Sequence, residues 1–149
     1  MATDIAKRDI EIDVPLAHVL ATLRDLPSQT QWVREIRAVE VLQTYDDMPV
    51  TARFDAVTPM GTDEYTLAYE HSDTGMSWSM VEGTLQTGQD GHYTLEAVDE
   101  DRTRVTFELA VSHTLPLPGF LTRQAVDGVV TSTLAGLKRY VESQDPAPA

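Results

Sequence analysis

The feature that most constrains this chain is a helical pattern near its C-terminus, which follows a long stretch of alternating residues. Beyond Phe120, apolar side chains recur every three or four residues, at Val126, Val130, Leu134, Leu137 and Val141. Between residues 34 and 111 they alternate with polar ones instead, which is typical of half-buried strands. A long amphipathic helix must bury its apolar stripe, and a sheet is the large partner that this chain offers. The pattern therefore predicts a sheet closed over one helix, with a hollow between them that suits a ligand.

Composition narrows the class of protein. A chain of 149 residues fits one domain and is long enough to bury a core. Cysteine is absent, which excludes disulfides and thiolate chemistry. There are 11 basic and 24 acidic residues, a formal net charge of −13. Because such a field repels polyanions, we expect no nucleic-acid partner and no strong attraction to anionic membranes.

The two ends of the chain bear on location. Lys7 and Arg8 near the start are not followed by an apolar run, so the sequence predicts no signal peptide. No apolar stretch has the length of a transmembrane helix, and we expect a cytoplasmic protein without stable membrane insertion. Residues 1–143 are interpreted as one domain. The tail from Gln144 to Ala149 is polar and broken by proline, which predicts disorder. The sequence leaves the oligomeric state open.

The N-terminal part predicts a strand and two short helices. Apolar residues alternate over Ile5–Val14, and the proline that follows fits the first turn of a helix. That helix carries a buried face over Leu16–Leu23. Asp25 is expected to cap a second short helix, which has Pro27 in its first turn and ends near Trp32.

Six further strands are predicted, beginning with Ile36–Tyr45 and ending with the regular alternation of Val105–Val111. Short turns between successive strands favour an antiparallel sheet. The turns are predicted at Asp46–Pro49, Pro59–Gly61, Ser72–Gly75, Gly88–Gly91 and Asp99–Arg102. Acidic pairs such as Asp63 and Glu64 are interpreted as solvated turn residues. Within the long helix, Gly128 and Gly136 each cost about 1 kcal/mol relative to alanine and would let a neighbour approach closely.

Two stretches of the sequence resemble the START-like superfamily, also called SRPBCC or the polyketide cyclase/dehydrase and lipid-transport superfamily. The first, Ile12–Leu42, contains the strand, the proline-opened helix, an aspartate that ends this helix (Asp25) and a tryptophan before the second strand (Trp32). The second, Leu115–Ser143, is similar to the closing helix of that superfamily. In size and layout the chain is similar to small single-domain actinobacterial members. The resemblance implies an α+β helix-grip fold, in which about seven antiparallel strands wrap around the C-terminal helix. It also implies a ligand between the concave face of the sheet and that helix.

The candidate ligand-binding residues are apolar or aromatic and are expected on the concave face. Apolar ligands are usually held by aromatic and soft side chains with a few polar anchors. Tyr65 and Tyr69 would supply hydroxyl anchors, and Trp32 is interpreted as structural. Each residue could alternatively be ordinary core. The set comprises Phe54, Tyr65, Leu67, Tyr69, Trp78, Met80, Tyr93, Phe107, Leu109, Phe120, Val126 and Val130.

The polar residues predict no catalytic signature. His18, His71, His92 and His113 lack metal-ligating spacing, so neither a metal site nor a cofactor is predicted. His71 could serve as a general base but is more often a rim residue in such a position. A nucleophile elbow and a phosphate-cradling glycine loop are both absent from the sequence.

Three functions remain open. The first is binding or carriage of a small hydrophobic molecule, such as a lipid, an isoprenoid or a polyketide-like compound. The second is a polyketide cyclase, aromatase or dehydratase, for which the resemblance implies an inward arginine. Arg53 and Arg104 alternate with the apolar face and are expected to point outward, which counts against catalysis, and Arg123 fits a solvated helix face. The third is a protein-interaction or toxin–antitoxin-associated module, which only the breadth of the superfamily suggests.

Overall fold

Seven strands and one long helix account for most of the described residues, 2–58 and 61–144, in this computed structural model. The elements in chain order are β1 (Ala2–Ile12), α1 (Leu16–Arg24), a 3-10 helix (Leu26–Ser28), α2 (Gln29–Trp32), β2 (Ile36–Tyr45), β3 (Met48–Thr58), β4 (Gly61–Ser72), β5 (Gly75–Gly83), β6 (Gly88–Asp99), β7 (Arg102–His113) and α3 (Gly119–Gln144). This order agrees with the predicted strand, short helices, six strands and long helix.

The strands form one antiparallel sheet in the order β1-β7-β6-β5-β4-β3-β2. The two strands at its edges, β1 and β2, are connected through α1 and α2. Helix α3 packs chiefly against β1 and β7, and the apolar stripe predicted from the sequence is buried along its length. The predicted α+β helix-grip class is therefore confirmed.

Helices α2 and α3 approach closely at one glycine. A Cβ atom added to Gly136 would lie 3.2 Å from the carbonyl carbon of Trp32 and closer still to its oxygen. Trp32 itself is buried, and its Nε1 donates a hydrogen bond of 2.9 Å to the Ser28 hydroxyl. No described atom lies within 4 Å of a Cβ added to Gly128. The glycine at 136 therefore serves helix packing, whereas Gly128 faces open space.

The predicted capping role of Asp25 is wrong. Its side chain makes no capping hydrogen bond to the 3-10 helix within the described residues. The residue instead ends α1, where its backbone N–H donates to the carbonyl groups of Ala21 and Thr22. Its own carbonyl oxygen accepts a hydrogen bond of 2.6 Å from the Ser28 hydroxyl. The backbone rather than the carboxylate therefore makes this junction.

The predicted turn at Gly88–Gly91 is also wrong, because these residues open strand β6. Gly91 pairs with Leu109 of β7. A Cβ atom added to Gly91 would lie 2.5 Å from Cε2 of Trp78 and closer to Cζ2, so the glycine makes room for an indole ring. The chain reverses earlier, through residues 84–87, which separate β5 from β6.

The other turns follow the sequence more closely. Asp46 and Asp47 alone connect β2 to β3, and both adopt positive φ angles of 52° and 62°. Met48 and Pro49, expected in that turn, already belong to β3 because two residues suffice for a hairpin of this conformation. Two parts of the predictions lie outside the described residues: Pro59 and Met60 of the predicted turn, and residues 145–149 of the predicted tail. Gln144, the first residue of that tail, is instead the last residue of α3. Among the helices within the described residues, none combines the length and apolar character needed to cross a bilayer.

Candidate ligand-binding cavity

A cavity of about 140 Å³ lies between the inner face of the sheet and α3. The sheet wall carries mainly aromatic side chains from β3 to β7. The helix wall is formed by Ala125, Val126, Val129 and Thr133 of α3. The segment from α2 to the start of β2 closes a third side with Gln29, Val33, Glu35 and Ile36. The lining is thus apolar with a small number of polar groups, as is usual for small-molecule sites.

Cross-strand pairing assembles the aromatic wall. Residues directly opposite each other on neighbouring strands place their side chains on the same face. Three such pairs are Phe54 with Tyr65, Tyr69 with Trp78, and Tyr93 with Phe107. The ring centroids within these pairs are 5.4, 5.7 and 4.5 Å apart. Trp78 also contacts both rings of the third pair, and the Phe54 and Tyr69 rings lie 6.5 Å apart, so the six rings form one continuous surface.

The tyrosine hydroxyls in this wall are neutral hydrogen-bonding groups. Burial raises the pKa of Tyr65, Tyr69 and Tyr93 far above the usual range. The negative charge of Asp63 raises the pKa of Tyr65 further, while a hydrogen bond with Gln89 opposes the change. Proton transfer from these phenols is therefore disfavoured near neutral pH.

A chain of hydrogen bonds runs along one end of the cavity. Trp78 Nε1 donates to Gln89 Oε1 (2.9 Å), and Gln89 Nε2 donates to Gln86 Oε1 (2.9 Å). Gln86 Nε2 in turn donates to Asp63 Oδ2 (2.8 Å). Every one of these four side chains lines the cavity. The network gives the cavity a polar end that the sequence analysis did not identify.

Asp63 holds the loop that covers this end. Its Oδ1 accepts hydrogen bonds from the Leu85 N–H (2.9 Å) and from the Thr84 N–H and hydroxyl (3.2 and 2.9 Å). Its Oδ2 accepts one from the Gln86 N–H (3.3 Å) besides the one from the Gln86 side chain. Burial opposes ionisation, but these donors outweigh it and hold the pKa of Asp63 below its usual range. Its interpretation as a solvated turn residue is wrong, since only 1% of it is exposed.

The buried position of Asp63 could have been predicted from the alternation of side chains along β4. Residues 63, 65, 67 and 69 share one face of β4, and three of them were assigned to the concave face. An aspartate on that same face is buried unless the strand bends away. The sequence gives no comparable indication for Gln86 and Gln89, because one lies in the loop between β5 and β6 and the other is the second residue of β6.

Glu35 contributes a second carboxylate to the cavity wall. It immediately precedes β2, and only 6% of the residue is exposed. Its Oε2 accepts from Arg34, with Nη2 at 3.1 Å and Nε at 3.2 Å. Its Oε1 is buried and has no hydrogen-bond partner within residues 2–58 and 61–144. Ile36, the next residue, pairs with Ala56, which in turn pairs with Asp63, so Glu35 lies at the polar end of the cavity.

Nine of the residues predicted to bind ligand line the cavity, although binding by them stays a prediction. They are Phe54, Tyr65, Leu67, Tyr69, Trp78, Tyr93, Phe107, Leu109 and Val126.

Three predicted residues lie elsewhere, and their expected position in the cavity wall is wrong. Val130 is on α3 and is fully buried in the core. Phe120, in the first turn of that helix, is 55% exposed. Met80 is half-buried near Gly83, beside a bulge at Val81 of β5, and packs against the core without lining the cavity.

The arginines lie outside the cavity, as expected. Arg53 pairs with Glu64 at 3.5 Å and Arg104 pairs with Glu11 at 3.0 Å, in each case between partly exposed side chains. Arg123 is exposed on α3.

Two histidines form hydrogen bonds that stabilise the fold rather than a ligand site. His113 is buried beside Asp4, with Nε2 and Oδ2 2.9 Å apart. Its Nδ1 accepts from the Leu115 N–H (3.3 Å), so Nε2 carries the proton and donates it to Asp4. His71 Nε2 donates to the Pro49 carbonyl oxygen at 2.6 Å. Neither residue lines the cavity. Within the described residues, no three His, Asp or Glu side chains cluster as a metal ion would require.

The buried Asp4 ties β1 to the start of α3. Burial opposes its ionisation, but hydrogen bonds from His113 and Thr122 outweigh that effect and lower its pKa. Asp4 is therefore a buried carboxylate that stabilises the fold in its ionised form.

A long helix gripped by an antiparallel sheet, with an aromatic cavity between them, defines a protein of the START-like, helix-grip class. The chain belongs to the family described as polyketide cyclase/dehydrase and lipid transport, whose profile matches residues 4–142. No curated protein sequence gives a significant match.

Solved structures support the fold. A START superfamily protein from Mycobacterium smegmatis is 19% identical with a TM-score of 0.87, and the match covers 94% of this chain and 98% of that one. The Zhui aromatase/cyclase from Streptomyces sp. R1128 is 12% identical with a TM-score of 0.85, and 98% of each chain is covered. The protein TTHA0849 from Thermus thermophilus is 22% identical with a TM-score of 0.83, covering 97% of this chain and 100% of that one. At these identities the likeness establishes the fold alone.

Proposed function

We propose that this protein binds a small hydrophobic molecule in the cavity between the sheet and α3. The observation that carries the proposal is a buried aromatic wall facing a helix across a cavity with one polar end. Such a combination of apolar lining and few convergent polar groups is typical of ligand sites. Membership of a family described by lipid transport as well as cyclisation supports the same conclusion.

The size of the cavity indicates which ligands fit without rearrangement. A cavity of about 150 Å³ in another protein accommodates benzene, so the present 140 Å³ suits about one aromatic ring. Burying roughly 200 Å² of such a ring yields about 5 kcal/mol before the costs of association, which corresponds to a weak dissociation constant. A larger lipid or polyketide-like molecule requires movement of α3 or of the loop at residues 84–86.

Cyclisation or dehydration of a polyketide chain is the alternative that the family suggests. Such chemistry requires a group that stabilises a developing enolate. Of the described residues that line the cavity, none is Arg, Lys or His, and Arg53 and Arg104 make ion pairs outside it. Binding is therefore better supported than catalysis. The family description names no interaction module, and this third function gains no support from it.

Native mass spectrometry of freshly purified protein, followed by organic extraction, tests the proposal. We expect a copurifying apolar species, or, for protein that carries none, saturable binding of toluene followed by intrinsic tryptophan fluorescence. Ala125→Phe adds bulk at the cavity wall and should weaken toluene binding at least about tenfold. Ala135→Phe is the matched control, since Ala135 is on the same helix but outside the lining. Absence of both a copurifying ligand and toluene binding would refute the proposal.

A further inference from the structure

The charges of the cavity wall are all of one sign. Among the described residues that line it, Glu35 and Asp63 are acidic and none is basic. Both line the same cavity, and the pairing of Ile36 with Ala56 and of Ala56 with Asp63 places them at the same end of the sheet. The chain as a whole has a formal net charge of −13, which adds a field of the same sign. A ligand that enters with a carboxylate or phosphate therefore meets negative charge without a compensating cation in the wall.

The two carboxylates differ in what remains available to a ligand. Both oxygens of Asp63 are occupied by donors from residues 84–86. Glu35 is different, because Arg34 satisfies Oε2 alone and Oε1 stays buried without a partner within the described residues. Buried charged oxygens are almost always hydrogen-bonded in folded proteins, so an orphan of this kind calls for a specific explanation.

We propose that Glu35 Oε1 is the anchor for the ligand, and that the cavity selects a ring-sized apolar molecule carrying a hydroxyl or a protonated amine. This inference rests on the proposed function and adds the chemical class of the ligand. A donor on the ligand completes the hydrogen bonding of Glu35, while the aromatic wall covers the apolar body. Carboxylates of the same size are disfavoured, because two like charges would share a poorly solvated site.

Four single-ring probes of matched shape test the selectivity: toluene, benzyl alcohol, benzylamine and benzoate. Dissociation constants are measured from intrinsic tryptophan fluorescence and from chemical shifts of the labelled protein. We expect benzylamine and benzyl alcohol to bind at least about tenfold more tightly than benzoate, since hydrogen bonds to charged groups are among the stronger ones.

Substitution of the anchor separates its charge from the shape of the cavity. Glu35→Gln should weaken benzylamine binding at least about tenfold, tighten benzoate binding, and change toluene binding by no more than about twofold. Glu64→Gln is the control, because the carboxylate of Glu64 pairs with Arg53 away from the cavity. Arg34→Gln leaves the buried Glu35 carboxylate in place and removes the guanidinium group that pairs with it. Because that group competes with the ammonium group of the ligand for Glu35, benzylamine should bind more tightly. Arg34 is largely exposed, which keeps this variant informative if Glu35→Gln fails to fold.

The outcomes distinguish the inference from the proposed function. If toluene binds but benzoate binds as tightly as benzylamine, the inference is overturned and the binding function stands. The same holds if Glu35→Gln leaves the benzylamine-to-benzoate ratio unchanged. If none of the four probes binds, the binding function is refuted and the inference falls with it.

Discussion

Replacing Gly136 by alanine tests the contact that brings α2 against α3. Alanine is favoured over glycine in a helix by about 1 kcal/mol, so propensity alone predicts a more stable protein. The structure predicts the opposite result, because the new methyl group would lie 3.2 Å from the Trp32 carbonyl carbon and closer to its oxygen. A backbone carbonyl cannot rotate away as a flexible side chain can, and the two helices must separate.

The size of the effect follows from these opposed contributions. Overpacking costs typically 1–3 kcal/mol, and a rigid obstacle places Gly136→Ala at about 3 kcal/mol. Subtracting about 1 kcal/mol of helix propensity leaves a net destabilisation of roughly 2 kcal/mol. For a chain of this length, that corresponds to a melting temperature lowered by about 4–8 °C.

Gly128→Ala in the same helix is the matched control. No described atom lies within 4 Å of its added Cβ, so it should gain up to about 1 kcal/mol and melt about 2–4 °C higher. Urea and thermal unfolding followed by circular dichroism would measure both variants. A Gly136→Ala protein as stable as the original, or stabilised like Gly128→Ala, would show that the close approach carries no energetic weight.

Three further predictions concern buried groups. Asp63→Asn should lower the free energy of unfolding by roughly 2–4 kcal/mol, because the amide must turn an NH2 group toward donors of the loop. The lowered pKa values of Asp4 and Asp63 contribute stability that is complete above the unfolded-state pKa of about 4 and is lost as the pH falls through the folded values. The urea midpoint should therefore fall as the pH is lowered below about 4. Gly91→Ala should weaken toluene binding about tenfold, since the methyl group would displace Trp78 in the cavity wall.

Each of these has its own control. Glu64→Gln neighbours Asp63 but is exposed, and we expect a change below about 1 kcal/mol. For the acid transition, Asp4→Asn should flatten the pH dependence, and a slope identical to that of the original protein would contradict the assignment. Gly88→Ala is matched to Gly91→Ala, because its added Cβ would meet Ser112 at an ordinary 3.5 Å. Equal toluene affinity in the two glycine variants would argue against displacement of Trp78.

Local periodicity predicted the elements because side-chain direction repeats every two residues in a strand and every 3.6 in a helix. The bounds of β2 coincide with the predicted strand Ile36–Tyr45, and α3 is one residue longer at each end than the helix predicted over Phe120–Ser143. Glycine was less informative. A glycine cluster at residues 88–91 fits a turn, but Gly91 is needed where an indole ring crosses the strand.

The cavity was predicted only in outline. Alternation assigned nine of the predicted side chains to the correct wall, yet Met80 lies beside a bulge in β5 and Val130 is fully buried in the core. Neither deviation has a local signature, because a bulge depends on the pairing of two strands and burial depends on the opposite element. Asp63 alternates in register with the inward residues of β4 and could have been recognised as buried. It was interpreted as a solvated residue because it forms an acidic pair with Glu64 close to a predicted turn.

The sequence alone determined the type and order of the elements, the family resemblance and the apolar character of the inner face, because these follow from local side-chain patterns. Tertiary structure alone decided how much space is left between the sheet and α3. It also decided that Gln86 and Gln89 meet Asp63, and that one oxygen of Glu35 is buried without a partner among the described residues. These features depend on contacts between residues distant in the chain, and on the packing of α3 against the sheet, which no local period encodes.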